Sequence, residues 1–325
     1  MESRCRLGIV SDIHYASAAE QARGSEYESV AIPNPLLRLA VRLYRRFIWL
    51  HQPFQKNHLL DAFIEQAQNL DYVVANGDYS CDSRFIGVSD DAARQSAREC
   101  LDKLRSKFGD RLRINFGDHE LGKVSFFGGR GGMRLASWRE AQSALGLDPL
   151  WHLTVGRFVL LGVVSSLIAL PVFEPDTLAE EQPEWERLRA AHLAGIREVF
   201  RALKPDQRVL LFCHDPTALP FLWEEPVVRE KARQIEQTVI GHLHSNLVLW
   251  KSRVLSGMPR ITFLGHTAKR LSTALRRGKQ WTPFKVRLCP SLAGIELLKD
   301  GGYLTAELDL SGSKPVSFQR HHILR

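Results

Sequence analysis

The sequence predicts an α/β fold in which sheets are flanked by helices, and two observations indicate it. Short β-branched runs bounded by polar residues or glycine recur along the 325 residues, which is typical of buried strands. Segments whose apolar residues have helical spacing lie between several of these runs. Alternation of the two element types characterises α/β domains. After the last helical segment we expect strands alone.

The elements follow in chain order. Strands are predicted at 6–10, 71–75, 111–116, 151–155, 158–164, 208–212, 238–240, 247–250, 260–263 and 303–308. Helices are predicted at 59–70, 90–108 and 184–203. Residues 16–57 form a long insertion after the first strand. We therefore expect one domain over residues 1–325 that contains this insertion.

Composition limits the classes of function. A hydrophobic fraction of 44% and a charged fraction of 25% exclude disordered and fibrous proteins. The net charge of +8 favours acidic partners: phosphorylated substrates, nucleic acid or an anionic membrane surface. Five cysteines without a paired spacing argue against a disulfide framework or a zinc ribbon. We expect a cytoplasmic protein, with peripheral attachment to the inner face of the membrane as an option.

Five short motifs rich in aspartate, histidine and glycine follow predicted strands, where an α/β sheet presents its ligand-binding edge. They begin at Asp12, Gly77, Gly117, Cys213 and Gly241 and read Asp-Ile-His, Gly-Asp, Gly-Asp-His-Glu, Cys-His-Asp and Gly-His-Leu-His. Each motif alone is more often a turn or a capped helix start. Together they supply three aspartates and four histidines, an oxygen and nitrogen set that suits two divalent ions sharing a carboxylate.

This set of motifs resembles the pattern of the calcineurin-like metallophosphoesterase superfamily: D-x-H, G-D, G-N-H-E/D, H and G-H-x-H. The resemblance covers residues 12–244 and implies a four-layered α/β/β/α sandwich, with the strands after Gly241 in its second sheet. It also implies two metal ions that share Asp78. The implied ligands are Asp12, His14, Asp78 and His244 for the first ion, and Asp78, Asp118, His214 and His242 for the second.

The resemblance further implies a reaction. A hydroxide bridging the two ions would attack phosphorus in line. His119, which the resemblance does not make a ligand, would protonate the leaving oxygen or stabilise charge on phosphorus. Manganese is the first expectation for both ions, with iron, zinc or magnesium as alternatives.

Two positions depart from the superfamily pattern. Asp118 stands where the superfamily carries asparagine, so the site has one more negative charge, which strengthens metal binding and favours a phosphodiester or pyrophosphate over a phosphomonoester dianion. The alternative, weighted equally, is that aspartate at position 118 replaces asparagine without a functional effect, because both offer an oxygen ligand. The phosphoprotein phosphatase branch has a carboxylate three residues after the bridging aspartate, where this chain has Cys81. A protein phosphatase is therefore disfavoured.

The insertion contains a basic amphipathic helix, predicted at 35–50 with Asn34 as its cap. Its arginines lie mainly on one side and its apolar residues on the other. Such a helix either lies in a membrane interface, where it can shelter an acyl chain, or packs on the sandwich with solvated arginines. A second basic cluster, near Trp281, is compatible with a phosphate or nucleotide site, nonspecific nucleic-acid binding or a solvated loop. Its members are Lys269, Arg270, Arg276, Arg277 and Lys279.

These observations predict a dimetal phosphoester or pyrophosphate hydrolase. The amphipathic insertion favours a lipid-linked substrate such as a UDP-diacylglucosamine-like compound. A soluble phosphodiester, for example a cyclic nucleotide, is the alternative within the enzyme class. A catalytically weak metal-binding scaffold is the alternative outside it. No specific nucleic-acid partner is expected.

Overall fold

The structure is a computed structural model that describes residues 4–24, 26–30, 32–125, 129–261 and 266–323, without the side chains of 266–268 and 270. Two five-stranded sheets form its centre. The strands are β1 (Arg4–Val10), β2 (Tyr72–Asn76), β3 (Leu112–Asn115), β4 (Leu150–Val155), β5 (Phe158–Val163), β6 (Arg208–Cys213), β7 (Ile235–Ile240), β8 (Val286–Leu288), β9 (Gly302–Asp309) and β10 (Ser317–His322).

Thirteen α-helices surround these sheets within the described residues. They are α1 (Ala18–Gln21), α2 (Pro35–Tyr44), α3 (His58–Gln66), α4 (Asp91–Phe108), α5 (Asp118–Leu121), α6 (Leu135–Ser143), α7 (Ser165–Ile168), α8 (Leu170–Phe173), α9 (Gln182–Arg201), α10 (Leu219–Glu224), α11 (Pro226–Glu230), α12 (Asn246–Val254) and α13 (His266–Arg276). Short 3-10 segments occur at Pro53–Gln55, Gly87–Ser89, Gly109–Arg111, Glu174–Asp176, Ala179–Glu181, Pro216–Ala218, Ala232–Gln234 and Gly278–Phe284.

The first sheet has the order β10-β9-β1-β2-β3 and the second β4-β5-β6-β7-β8. Strands β1, β2 and β3 are parallel, as are β5 through β8. Parallel strands place all their carboxyl ends at the same edge of the sheet. The motifs that follow β1, β2, β3, β6 and β7 therefore meet between the two sheets.

Alternating side chains on the strands build the sandwich. Leu7 of β1 and Phe212 of β6 belong to a buried cluster made almost entirely of strand residues from both sheets, which is the layer between them. The intervening residues, such as Val73 of β2, join a larger cluster with Phe63 of α3 and Ile196 of α9. The predicted four-layered sandwich is confirmed.

The C-terminal third differs from the sequence prediction. Residues 247–250, predicted as a strand, lie in α12, because the side chain of Ser245 accepts a hydrogen bond from the amide of Leu247 and caps a helix there. The expectation of strands alone was wrong for the same region, since α12 and α13 intervene. Of the later strands that the structure describes, only β8 joins the second sheet; β9 pairs with β1 in the first sheet, and β10 pairs with β9. The predicted strand at 260–263 is not formed at 260–261 and otherwise lies outside the described residues.

The insertion is helical but turns its apolar side outward. Asn34 caps α2 as predicted, by accepting hydrogen bonds from the amides of Leu36 and Leu37. A π-helical turn, Arg45–Trp49, continues the helix. Its apolar residues are mostly exposed, namely Leu36, Leu37, Leu39, Leu43, Tyr44, Phe47 and Ile48. The alternative of apolar packing with solvated arginines is therefore wrong.

Candidate metal centre

The seven predicted ligands converge at the carboxyl ends of five strands. Asp12 and His14 follow β1, and Asp78 follows β2. The remaining four residues are Asp118 in the first turn of α5, His214 after β6, and His242 and His244 after β7. Backbone bonds hold these turns together: the amide of Asp12 donates to the carbonyl of Gly77, and that of Gly241 to the carbonyl of His214.

The backbone carries unusual conformations at five of these residues. Positive φ angles of 51° to 62° occur at Asp12, His14, Asp78, His242 and His244. Residues other than glycine seldom adopt this left-handed conformation. Such strain of about 1–3 kcal/mol per residue persists where the surrounding structure enforces it, and it concentrates at functional sites. Here it turns the side chains after β1, β2 and β7 into one cavity.

The side chains form two groups of ligand atoms, each with its atoms within 4.8 Å of one another. The first group is Asp12, His14 and His244, and the second is Asp118, His214 and His242. Asp78 lies between them. Its Oδ2 atom is 3.2 Å from Nε2 of His214, and it also forms a group with His14 and His119. A further group joins Asp12, Asp78 and His214, so Asp78 lies within reach of ligand atoms from both of the first two groups.

The donor set fits divalent cations. Nδ1 of His214 lies 2.6 Å from the carbonyl of Asn76 and donates its proton there, so Nε2 is the nitrogen that would bind a metal once it has lost its proton. Within the described residues, that Nε2 atom is buried without a hydrogen-bond partner, and so is Oδ2 of Asp118. Three carboxylates, those of Asp12, Asp78 and Asp118, are buried around it. Buried carboxylates this close require positive charge, which divalent cations bound by these side chains would supply.

The imidazoles respond to the carboxylates in different ways. Burial alone would lower the pKa of His214, but Asp78 and Asp12 raise it well above its ordinary value. Burial likewise opposes protonation of His242, yet Asp215 and Asp118 raise its pKa to about 9. Burial prevails at His119, whose pKa falls to about 3. Of these three histidines, the two in the second group are thus the ones whose protonated form the neighbouring carboxylates stabilise.

Glycine is required where the loops touch. A Cβ atom on Gly117 would collide with Oδ1 of Asp78, and one on Gly241 would collide with Oγ of Ser11 and Oδ2 of Asp12. The absence of a Cβ atom at Gly117 and Gly241 therefore allows the backbone to approach the site closely.

Glu120 is a residue of the third motif to which the sequence analysis gave no role. Its carboxylate accepts hydrogen bonds from the amides of Gly117 at 2.7 Å, Asp78 at 3.0 Å and Tyr79 at 2.8 Å. It therefore ties the turn that carries Asp78 to the start of α5. Its presence in the motif was the available signal.

Lys123 is a second residue that sequence reasoning missed. Its ammonium group contacts Nε2 of His119 and lies 3.8 Å from Oδ2 of Asp118. His119 is oriented by its other nitrogen, since Nδ1 lies 3.0 Å from the carbonyl of Ser80 and donates to it. No motif marks Lys123, which lies four residues after His119 at the start of the glycine-rich connection.

A family model for calcineurin-like phosphoesterases matches residues 5–246. The chain belongs to the calcineurin-like phosphoesterase family. Because this family is dimetal-dependent, the phosphoesterase is a metal-dependent phosphohydrolase whose substrates carry phosphate. No curated protein sequence matches it significantly.

Several solved structures resemble the phosphoesterase at low identity. A dimetal phosphatase from Danio rerio, LOC 393393, is 14% identical with a TM-score of 0.41, covering 98% of this chain and 97% of that one. The phosphopantetheinyl hydrolase PptH from Mycobacterium tuberculosis is 14% identical with a TM-score of 0.38, covering 75% and 84%. A metallophosphoesterase from Sphaerobacter thermophilus is 13% identical with a TM-score of 0.32, covering 99% and 89%. These likenesses do not bear on the ester that is cleaved.

Proposed function

We propose that this phosphoesterase hydrolyses a phosphodiester or pyrophosphate bond in a lipid-linked substrate, of the UDP-diacylglucosamine-like class, at a membrane surface. The observation that carries the proposal is the exposed apolar side of α2 and the following π-helical turn. Leu36 is 77% exposed and Phe47 is 59% exposed. Exposing so contiguous a set of large apolar side chains to water is unfavourable, and such patches mark interaction sites.

Three arginines of this segment bond to the preceding residues of the insertion, which leaves the apolar side of the helix free to contact lipid. Arg38 donates to the carbonyl of Ile32, Arg42 pairs with Glu26 and Arg45 pairs with Glu28. These bonds attach the helix to Glu26, Glu28 and Ile32 through its polar side. The apolar side is thereby left as the outer surface of the insertion.

Exposed apolar residues occur in few places on the molecule. Within the described ranges, every large hydrophobic side chain that is exposed falls in residues 30–48, 247–255, 271 or 297–298. One of these segments adjoins the insertion, because the amide of Leu297 donates to the carbonyl of Ile48. The start of α12 is linked to the chain just after that segment, because Oγ of Ser245 donates to Oδ2 of Asp300. These bonds connect the insertion, residues 297–298 and the start of α12, and exposed apolar segments connected in this way suit contact with a membrane.

This surface adjoins the metal centre. The ring of Trp49, which ends the π-helical turn, lies 5.1 Å from the ring of His244. A cavity of about 160 Å³ is lined by His242 and Asp215 together with mainly apolar residues. Phe173, Leu243, Leu275 and Trp281 are among the latter. A substrate with both phosphate and apolar groups suits these surroundings.

The residues divide the work as follows. Asp12, His14, Asp78, Asp118, His214, His242 and His244 would hold two divalent ions. When bound, such ions acidify water and polarise phosphoryl oxygens. His119, fixed through Ser80, is placed to exchange a proton with the leaving oxygen, and Lys123 adds positive charge beside it. Manganese is the proposed metal.

The test compares substrates on the purified protein with added Mn²⁺. We expect kcat/KM for a long-chain UDP-diacylglucosamine in mixed micelles to exceed that for bis(p-nitrophenyl) phosphate and for a cyclic nucleotide by about 100-fold, the gain expected from about 3 kcal/mol of added apolar contact. Equal or better hydrolysis of the cyclic nucleotide would favour the soluble phosphodiesterase and refute the lipid-linked substrate.

A helix variant adds a second arm. Replacing Leu36, Leu39, Leu43 and Phe47 with serine should lower kcat/KM for the lipid substrate much more than for the soluble diester. The matched control places methionine at the same four positions, which preserves an apolar surface and should preserve the preference. If both variants behave alike, the apolar side of α2 does not contribute to substrate choice.

A further inference from the structure

A second site lies apart from the seven ligands, in a groove between α12, the 3-10 segment Gly278–Phe284 and β8. Two open cavities of about 700 Å³ and 360 Å³ adjoin there and share Gln237, Arg253 and Val286 as lining residues. We call these two cavities together the basic groove. None of the metal-centre side chains lines it.

The lining of the basic groove is strongly cationic. Its charged members are Arg253, Lys279, Lys285, Arg287 and Arg320, and no carboxylate is among the described lining residues. The surrounding sequence has the same bias, because residues 237–295 contain ten lysines and arginines and no aspartate or glutamate. This segment alone exceeds the net charge of +8 of the whole chain. The positive potential of the groove is therefore not offset locally.

Several donors in the groove face no acceptor. Oγ of Ser256, Nε1 of Trp281 and Nε of Arg320 are buried atoms without a hydrogen-bond partner in the part of the chain that the structure describes. Arg253 donates to the carbonyl of Val286 at 2.8 Å, and Arg287 lies 4.5 Å from the centre of the Phe318 ring. These contacts are with neutral groups, and among the described residues no carboxylate pairs with either guanidinium group. Buried donors beside unpaired cations are the complement of an oxyanion.

The same helix identifies the source of that oxyanion. Arg253 projects from α12 into the groove, while Trp250 of α12 is 60% exposed and Val254 and Leu255 are exposed beside it. An interfacial helix combines these features, with basic residues on phosphates and an aromatic residue at the level of the headgroups. Neither a free phosphate nor the backbone of a nucleic acid would gain binding energy from these exposed apolar side chains.

We propose that the basic groove binds the phosphate headgroup of an anionic phospholipid. This site would hold the protein on the membrane by a contact separate from the metal centre. The inference extends the proposed function, because it concerns the lipid surface rather than the hydrolysed substrate. It remains testable if the hydrolysed substrate proves to be soluble.

The test measures binding of the full chain to vesicles by flotation. The groove variant carries Lys279→Gln, Lys285→Gln and Arg287→Gln. The matched control carries Arg98→Gln, Lys107→Gln and Arg139→Gln, which remove the same charge from exposed positions on α4 and α6. Since each basic residue near an anionic surface contributes about 1 kcal/mol, we expect the groove variant to bind phosphatidylglycerol-containing vesicles about 100-fold more weakly than the parent. The control should retain parental binding.

Further outcomes each decide the proposal. Equal loss in both variants would mean a nonspecific effect of net charge and would overturn the groove as a site. Unchanged vesicle binding by the groove variant, with loss of vesicle binding by the serine variant of α2, would overturn the groove as a lipid site but would not contradict the lipid-linked substrate.

Tests with other anions also decide the proposal. Complete inhibition of vesicle binding by inorganic phosphate would identify a soluble anion as the ligand instead. Binding of duplex DNA that the groove variant loses, without any vesicle binding by the parent, would identify a nucleic acid. A thermal unfolding midpoint equal to that of the parent verifies folding of each variant.

Discussion

Lys123 places its Nζ atom 3.8 Å from Oδ2 of Asp118, so the one motif residue that departs from the family pattern carries its own counter-charge. The motifs alone assign the site an extra negative charge. The ammonium group offsets that charge for an incoming phosphate, while the carboxylate oxygens remain available to a metal. Asp118 and Lys123 thus act in opposite directions on phosphate binding.

The pair makes a prediction about charge. Asp118→Asn should raise the metal concentration required for half-maximal activity and tighten inhibition by inorganic phosphate. Lys123→Gln should weaken inhibition by phosphate. Each change alters one unit charge at contact distance, partly screened, so we expect effects on the order of tenfold. The ratio of monoester to diester hydrolysis should rise in Asp118→Asn. If neither variant changes phosphate inhibition, the two charges do not face the substrate.

Asp78 gives the prediction about the metals themselves. It lies between the two ligand groups, so Asp78→Asn should remove metal and abolish activity. The measurement is metal content per chain after gel filtration, read together with turnover. Asp61→Asn is the matched control, because Asp61 is an exposed residue of α3 that pairs with Lys103 of α4. A variant at position 78 that retains both metal and full activity would refute the shared-ligand assignment.

His119 must be separated from the ligands by experiment, because its ring also lies within reach of His14 and Asp78. His119→Asn keeps a donor for the carbonyl of Ser80 but removes the proton-transferring ring. We expect kcat to fall by about 10²- to 10⁴-fold, the range for general acid–base residues, with metal content retained. Loss of metal from this variant would make His119 a ligand instead.

Arg45 provides a prediction about the insertion. Its side chain is 12% exposed, forms a 2.5 Å ion pair with Glu28 and lies over the ring of Tyr27. Arg45→Gln removes the ionic partner of the partly buried Glu28 carboxylate, which costs about 1 kcal/mol after screening by solvent. We expect faster proteolysis within residues 26–49. Arg46→Gln, a change of an exposed neighbour, should leave the proteolysis rate at the parental value. Equal rates in the two variants would mean that the Arg45 ion pair does not secure the insertion.

The metal centre could be predicted from sequence because its chemistry is encoded locally. Each motif directly follows a buried strand, and parallel strands bring such ends together whatever the helices do. Contacts across the chain could not be predicted: Trp49 meets His244 only after folding. The apolar content of short runs also gave wrong predictions of strands. The edge strand β10 reads Ser-Phe-Gln-Arg-His-His, without the apolar content of a buried strand. Residues 247–250 have that content, yet the cap at Ser245 makes them a helix.

The last prediction concerns stability and a histidine remote from the metal centre. Nε2 of His192, in α9, accepts a hydrogen bond from the amide of Val164 at 3.1 Å. Burial lowers the pKa of His192 to about 4. A protonated ring could not accept that bond and would carry an unpaired buried charge. Folding therefore disfavours the protonated form of this side chain.

The sign of the pH dependence follows from linkage. Between about pH 6.5, the ordinary histidine pKa, and pH 4, the unfolded chain binds a proton at position 192 that the folded chain excludes. The contribution of His192 to the free energy of unfolding is thus fully present above the pKa of the unfolded chain and is lost as pH falls towards the pKa of the folded protein.

His192→Gln keeps an acceptor but cannot titrate. On going from pH 7 to pH 5, the parent should lose about 2 kcal/mol more unfolding free energy than this variant. Urea unfolding at several pH values, in excess chelator to exclude metal release, measures the difference. His152→Gln, at an exposed position of β4, should follow the parent. Parallel stability curves for the parent and His192→Gln would show that the ring is protonated in the folded protein or that it does not accept the Val164 bond.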